Sequence, residues 1–470
     1  MRALHWFRND LRLRDNPGLT EAAQAEAGLA GLFIIDPKLM GDPRHRTPRH
    51  LYLYAILQSL EKKLADRGVQ LLVRKGSPEV VLPKICRELK IDLVTWTEDY
   101  SSYATERDQC VRSALEDSGI RTQEHKARVV FDYREILTQD GRPFSVYTPY
   151  WKRWLARFQE QAPRALPQPR LRGLPDLPAS PGLDRLFPSI PSNFTLPPST
   201  ENAALRRLDS FLDKRVDQYH EDRDRPDLDG TSRLSPAIRF GLISPRQCVV
   251  RALDAGRNAP GRNKGVTKWI NEIAWREFYA AVLATHPAAT TRAIQPAYRN
   301  VRWDEDPNGL EAWKRGMTGY PIVDAGMRQL DQTGWMHNRV RMIVASFLVK
   351  DLLIDWRIGE RYFFSRLLDG DPASNSGGWQ WAASTGNDAA PYFRIFNPTR
   401  QGERFDPQGD YVRRWIPELE ALPGTSAHQP WEAPLAAGDY PVRIVDHAER
   451  RLIALDRYKS ARLAFEKQSS

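Results

Sequence analysis

Three clusters in this chain have residue types at spacings that chemistry uses. In WINEIAWREFY (Trp269–Tyr279), a carboxylate, an indole and a guanidinium, Glu272, Trp275 and Arg276, fall at i, i+3 and i+4. On a helix that is one face. Burying unpaired charge is expensive, so this set predicts a site, with a structural ion pair as the plainer alternative. WMHNRVRM (Trp335–Met342) repeats the arrangement with Asn338, Arg341 and Met342. The third cluster runs from Arg361 to Pro398, RYFFSRLLDGDPASNSGGWQWAASTGNDAAPYFRIFNP. It holds an acidic pair (Asp369, Asp371), an Asn ahead of a Gly pair, and two Trp two residues apart. If helical, Asn375 and Trp379 share a face, whereas Trp379 and Trp381 stand about 200° apart and serve different surroundings. Gly377 and Gly378 weaken a helix by about 1 kcal/mol each against Ala, and suit close approach of the backbone to something flat.

Elements that position these clusters can be read on either side of a Pro-rich stretch. From Ala3 to about His125, short apolar runs (Ala3–Phe7, Gly31–Asp36, Gln70–Arg74, Ile91–Trp96, Arg121–His125) alternate with helical segments. Leu53, Leu57, Leu60 and Leu64 make a helical stripe, and Ser77-Pro78 is a good N-cap and N1 pair. Alternation of this kind predicts an α/β, doubly wound parallel sheet. No G-x-G-x-x-G follows the first strand, so a dinucleotide held in the Rossmann manner is not expected there. Ten of the 35 prolines lie between Pro163 and Pro198, which predicts an extended connector. From about Asn202 the pattern is mostly helical. There DGTSRLSPAIRFGLISPRQ (Asp229–Gln247) offers hydroxyls and free N–H groups ahead of a helix, suited to a phosphate or to ordinary capping.

Composition narrows the partners. The chain has 470 residues and a net charge of +10, which favours a polyanion such as nucleic acid. No apolar run is long enough to span a membrane. Cys86, Cys110 and Cys248 are odd in number and widely spaced, and the nine His form no H-E-x-x-H pair. Neither a disulfide framework nor a metal site is expected. These features predict a reduced, soluble, intracellular protein.

The string GGWQWAASTGNDAAPYFRIFNP closely resembles the flavin-site signature of the photolyase/cryptochrome family, nearest the class I cyclobutane pyrimidine dimer photolyases. WFRNDLRLRDNPGL (Trp6–Leu19) resembles the family's N-terminal signature. The resemblance runs from residue 1 to about Arg462 and is densest at 229–247, 269–279, 335–342 and 369–398. It implies an α/β antenna domain over 1–130, a connector over 131–200 and an all-α FAD- and DNA-binding domain over 201–470. It implies that Tyr219, Thr231, Ser232, Leu234 and Ser235 hold the FAD pyrophosphate and ribityl chain, with Arg233, Trp269, Arg276 and Asp371 also at the cofactor. Arg341 and Asp369 would be an ion pair beside the flavin, and Asn375 would lie at its N5. Glu272, Trp275, Asn338, Met342 and Trp381 would surround the lesion, and Arg223, Arg339 and Arg394 would face DNA phosphates. Trp303, Trp356 and Trp379 stand where such proteins carry electrons to the flavin.

For the antenna, Glu106 in Tyr103–Asp108 is the resemblance's best contact; the same residues also read as the solvated start of a helix. Thr290 stands where folate-type relatives have a Lys, which leaves methenyltetrahydrofolate and 8-hydroxy-5-deazaflavin both open. The implied activity is light-driven repair of cyclobutane pyrimidine dimers by a cytoplasmic monomer. The rivals are a blue-light photoreceptor and a flavin-free basic DNA-binding module, with a (6-4) photolyase as a nearer alternative. No long polar tail of the cryptochrome sort follows the last amphipathic segment, and only His337 lies in the 335–342 stretch.

Overall fold

The computed structural model describes residues 1–40, 47–178, 182–183 and 195–469. By its contacts the chain divides into two compact units, Met1–Pro143, Pro149–Asp217 and Ser232–Ala284 in one, Phe144–Thr148, Gln218–Thr231 and Thr285–Ser470 in the other.

In the first unit the five runs become β1 (Ala3–Phe7), β2 (Leu29–Ile35), β3 (Leu71–Lys75), β4 (Leu93–Thr97) and β5 (Arg121–His125), the last of them polar and partly exposed. They pair in parallel in the order β3-β2-β1-β4-β5. Every residue of β1, β2 and β4 is buried, which is why these strands read as continuous apolar runs instead of alternating ones. Helices α1 (Pro17–Ala22), α2 (Pro48–Ala65), α3 (Pro78–Leu89) and α4 (Ser102–Glu116) connect the strands. The Leu53, Leu57, Leu60 and Leu64 stripe of α2 is buried. Ser77 is the N-cap of α3 with Pro78 following, but its side chain makes no capping hydrogen bond. Of the expected connector, residues 179–181 and 184–194 lie outside those described. Arg172–Leu174 runs beside β2: Leu29 N donates to Arg172 O at 2.9 Å and Leu174 N to Leu29 O at 3.1 Å.

The first unit also contains α5 (Glu201–Lys214), α6 (Ser235–Arg239), α7 (Pro245–Asn258) and nearly all of α8 (Asn263–Thr285). Gly241 lies at φ +70°, and a Cβ there would sit 2.1 Å from Asn9 O, so a side chain is excluded on both counts.

The second unit is helical. Its core combines α9 (Pro307–Arg315), α10 (Pro321–Thr333), α11 (Asn338–Ser346), α12 (Trp356–Arg366) and α13 (Pro372–Ala382), through buried Trp313, Met327, Val344, Leu348, Phe363 and Trp379. Phe347–Asp351 forms a π-helical turn after α11. Helical excess of this kind is frequent near functional sites. It turns Lys350 inward, where Nζ donates to Ser384 Oγ at 3.0 Å and lies 3.5 Å over the Tyr458 ring. Burial pulls the Lys350 amine well below its ordinary range. No helix among the described residues is long and apolar enough to cross a membrane.

Candidate active site

Helix α8 presents two unlike faces. Ile273, Ala274, Glu277 and Phe278 are buried, whereas Glu272, Trp275, Arg276 and Tyr279 are half-buried. The inner face is anchored by Glu277, whose carboxylate accepts from Val130 N, from Phe131 N at 3.3 Å and from Trp154 Nε1 at 2.9 Å. Burial pushes the Glu277 carboxyl up to about 7, against the pull of those three donors. On the outer face Glu272 lies 3.9 Å from Lys268 Nζ, and Trp275 meets Phe278 and Tyr279 at 5.7 and 5.6 Å. Arg276 Nη1 donates to Arg128 O at 2.5 Å. The triplet expected on one face is present, and it is not where the charge is buried. The deeply buried acid is Glu277, while the triplet keeps partial access to solvent.

Upstream in the same unit, Trp269 Nε1 donates to Ser232 Oγ at 3.3 Å and Arg207 Nε to Ser232 O at 2.9 Å. Arg233 follows at φ +50°, a left-handed conformation that turns the chain sharply. The N-cap of α6 is Leu234, with no side-chain capping bond. Ordinary hydroxyl capping of this helix is thus corrected: Ser232 is committed to Trp269, and Ser235 already lies inside the helix.

At the sheet's switch point, between β1 and β4, the crevice where α/β proteins bind ligands is occupied by a charged network. Arg8 pairs with Asp108 at 2.5 Å, and Arg107 Nε donates to Asp108 at 2.9 Å. Arg8 and Arg107 lie 4.6 and 5.0 Å over Trp6. Tyr103 donates to Asp36. Glu106, on α4, is exposed and stands just before the buried Arg107–Asp108 pair.

In the second unit, α11 and α13 carry the other clusters. Asn338 Nδ2 is 4.0 Å from Met342 Sδ, the i to i+4 pairing expected. Arg341 pairs with Asp369 at 2.8 Å and is braced by Met336 O at 2.8 Å. Tyr219, buried, opens a short helix ending at Asp222, and half-buried Thr231 closes this unit's 218–231 segment. Arg339 pairs with Asp224 at 3.0 Å and lies 4.4 Å over Phe405, while Arg223 reaches the same Asp224 at 3.7 Å. Arg394 is exposed.

Helix α13 forms despite its Gly pair. Asp371 caps it by accepting from Ala373 N and Ser374 N, both at 3.1 Å, and Pro372 supplies N1. Asn375 and Trp379 face inward and Trp381 is only partly buried, as the 200° offset requires. Two residues of α12 fix the inward pair. Asn375 Nδ2 donates to Glu360 O at 2.9 Å and to Glu360 Oε1 at 2.7 Å. A Cβ on Gly359 would lie 2.1 Å from Trp379 Cη2, so the indole rests where a side chain would be. Burial raises the Glu360 carboxyl, opposed by the Asn375 bond. Trp356 is buried at the start of α12, and Trp303 packs against Tyr458 at 6.3 Å. Thr290 lines a cavity of about 750 Å³ that also reaches Glu360, Arg361 and Phe364.

Sequence reasoning missed Glu277, Gly359 and Glu360. Glu277 lies inside WINEIAWREFY, and the carboxylate it adds to Glu272 is a usable signal. Gly359 and Glu360 stand immediately before the stretch that begins at Arg361.

A flavin fits what is present. Asp369 Oδ1 and Trp379 Nε1 are buried with no hydrogen-bond partner among the described residues, next to groups that are otherwise well paired. A Cβ at Gly378 would meet nothing within 4 Å, so α13 is open there. Orphaned buried polar atoms suit a planar group with its own donors and acceptors.

The DNA photolyase family matches residues 3–170, and the FAD binding domain of DNA photolyase matches residues 269–460. The chain is similar to a deoxyribodipyrimidine photo-lyase of Salmonella typhimurium, 42% identical over 98% of each chain. Among solved structures it is similar to a class III photolyase from Agrobacterium tumefaciens, with TM-score 0.88, 36% identity and coverage of 98% of this chain and 97% of that one. It is also similar to a cryptochrome of Synechocystis, with TM-score 0.87, 30% identity and coverage of 97% and 98%. With family matches in both parts of the sequence and a full-length relative at this identity, the chain belongs to the DNA photolyase family.

Proposed function

We infer that the chain is a deoxyribodipyrimidine photo-lyase, a carbon–carbon lyase that repairs cyclobutane pyrimidine dimers in DNA with light and FAD. The observation that carries this is the full-length match to a relative of that name. The geometry supports roles for its residues. Reduced FAD, when bound and excited, supplies the electron that opens the dimer and takes it back. The protein binds, orients and tunes. Arg341, paired with Asp369, would place positive charge beside an anionic reduced ring. Both N–H groups of Asn375 are committed to Glu360, and flipping the amide would set its oxygen against two acceptors. What Asn375 offers is therefore its carbonyl oxygen, suited to the N5–H of a reduced flavin.

Tyr219, Thr231–Ser235, Trp269, Arg276 and Asp371 would hold the rest of the cofactor. Glu272 would stabilise charge developing on a lesion carbonyl, with Trp275, Trp381, Met342 and Asn338 as walls. A dimer already pairs poorly, so taking it from the stack costs only a few kcal/mol. Trp379, Trp356 and Trp303 would resupply electrons, Arg223, Arg339 and Arg394 would meet phosphates, and an antenna chromophore, folate or deazaflavin, would sit against Glu106. Residues 1–130, 131–200 and 201–470 would serve as antenna domain, connector and catalytic domain of a cytoplasmic monomer acting at DNA.

The test is illumination of the reduced protein with thymine-dimer DNA and, separately, with (6-4) photoproduct DNA. Splitting of the first alone is expected. Splitting only the second would overturn the lesion assignment. Splitting neither would favour light sensing, a reading kept open by the likeness to a cryptochrome.

A further inference from the structure

Trp379 touches a second oxidisable ring that the roles above leave without work. Trp313, fully buried, meets it edge to face at 6.2 Å. Trp313 also stacks on Phe363 at 5.9 Å and meets Tyr362 at 5.5 Å. Tyr362 is half-buried, and its hydroxyl donates to Lys314 O at 3.3 Å. It lines a cavity of about 390 Å³ whose wall carries Lys314, Arg315, Arg328 and Arg366 against Glu311 and Asp331. Arg328 is engaged by Glu418 at 2.8 Å, and Arg366 and Lys314 only loosely by Asp331 and Glu311 at 3.5 and 3.8 Å. Arg315 is exposed and ion-pairs with none of the described residues. The mouth of the cavity is thus positive and Tyr362 forms part of its wall.

We propose that Trp313 and Tyr362 form a second route by which Trp379 regains an electron, ending in a cation-walled cavity that takes a small anionic reductant of the thiolate or enediolate class. The proposal rests on the reading of Trp379 as the tryptophan next to the flavin. Whenever Trp379 is one electron short, Trp313 passes it an electron across their ring contact, and Tyr362 passes one to Trp313. Tyr362 then gives up its hydrogen bond to Lys314 O, releases its phenolic proton to solvent at the cavity and becomes a neutral tyrosyl radical. A reductant in the cavity gives one electron, a proton returns from solvent, and the phenol is restored while the reductant leaves as its one-electron-oxidised radical. Lys314 Nζ and Arg366 Cζ, 5.9 and 5.6 Å over the Tyr362 ring, oppose a positive charge left on it. Their field favours the deprotonated radical, which is slow to hand the deficit back.

The test uses the flavin-loaded protein, oxidised, illuminated and frozen for electron paramagnetic resonance. A tyrosyl signal that narrows with ring-deuterated tyrosine is expected, and Tyr362→Phe and Trp313→Phe should each remove it. In solution, 2-mercaptoethanesulfonate should quench the radical about tenfold faster than neutral 2-mercaptoethanol, and Arg315→Glu should erase that preference without slowing the neutral thiol. A signal of full size in both ring variants would overturn the route. Equal quenching by the two thiols in the unmodified protein would overturn the cavity's role. Should Trp379→Phe leave both photoreduction and the tyrosyl signal intact, the reading of Trp379 itself would fall, an outcome distinct from loss of the Trp313 branch alone.

Discussion

Helices α8 and α13 carry two of the clusters given roles above, one in each unit, and they are held in opposite ways. In α8 the cluster of Glu272, Trp275 and Arg276 is half-open, and the helix is fastened from its other face by Glu277. In α13 the inward pair, Asn375 and Trp379, is itself the buried face, fastened directly by Glu360 and by the absent side chain of Gly359. On the roles proposed above, the difference suits different tasks. A face that must admit a large substrate cannot also supply the packing that fixes it, so anchoring falls to the opposite side. A face next to a resident cofactor can be packed permanently, since orientation of one amide and one indole matters more than access.

The largest effect should come from cutting the anchor of α8. Glu277→Ala leaves three buried donors without an acceptor and should lower stability by about 3–5 kcal/mol in denaturant unfolding. A loss under about 1 kcal/mol would mean that burial alone holds the helix. The pH dependence has a defined sign. The Glu277 carboxyl is raised in the fold, from 4.5 to about 7, so its contribution is fully present below the unfolded value and is lost as pH rises through about 7. The wild type should lose about 3 kcal/mol across that window relative to Glu277→Gln.

On α13 the corresponding cut is Gly359→Ala. Its Cβ would meet Trp379 Cη2 at 2.1 Å and Leu348 Cδ2 at 2.5 Å, and overpacking of this kind costs about 1–3 kcal/mol. Displacement of the indole should slow photoreduction of oxidised flavin, measured by absorption under continuous blue light, while binding of undamaged DNA stays as before. Weakened DNA binding with normal photoreduction would show that α13 is not held from Gly359. The smallest effect belongs to a residue that neither clamp touches. Arg394 is exposed, so Arg394→Ala should weaken damaged and undamaged duplex alike and lower the slope of log affinity against log salt by about one unit. Arg339, shared with Asp224 and Phe405, should show a shallower change in slope. The reverse order would put Arg339, not Arg394, at the phosphates.

What the sequence determined was everything that depends on near neighbours along the chain. Short runs bounded by helical segments located the five strands, and the 3.6-residue period located the Leu stripe of α2, because burial of a face is written into spacing. The same geometry put Asn338 with Met342 and set Trp379 and Trp381 on different faces. Strand ends moved by up to two residues, since the last apolar residue of a run need not be the last one paired. Tertiary structure alone decided which groups hold these faces. Trp154 reaches Glu277 from 123 residues away and Asn375 reaches Glu360 from 15. The pairing of Arg341 with Asp369 spans 28 residues and entered the sequence reading only through family resemblance. Lys350 looks like surface charge until a π-helical turn points it at Ser384 and the Tyr458 ring. Trp313 and Tyr362 lie in separate helices, so no spacing could have joined them to Trp379. Local periodicity fixes which side of an element is inside; which partner waits there depends on how elements pack, and a single sequence records that only in the folded chain.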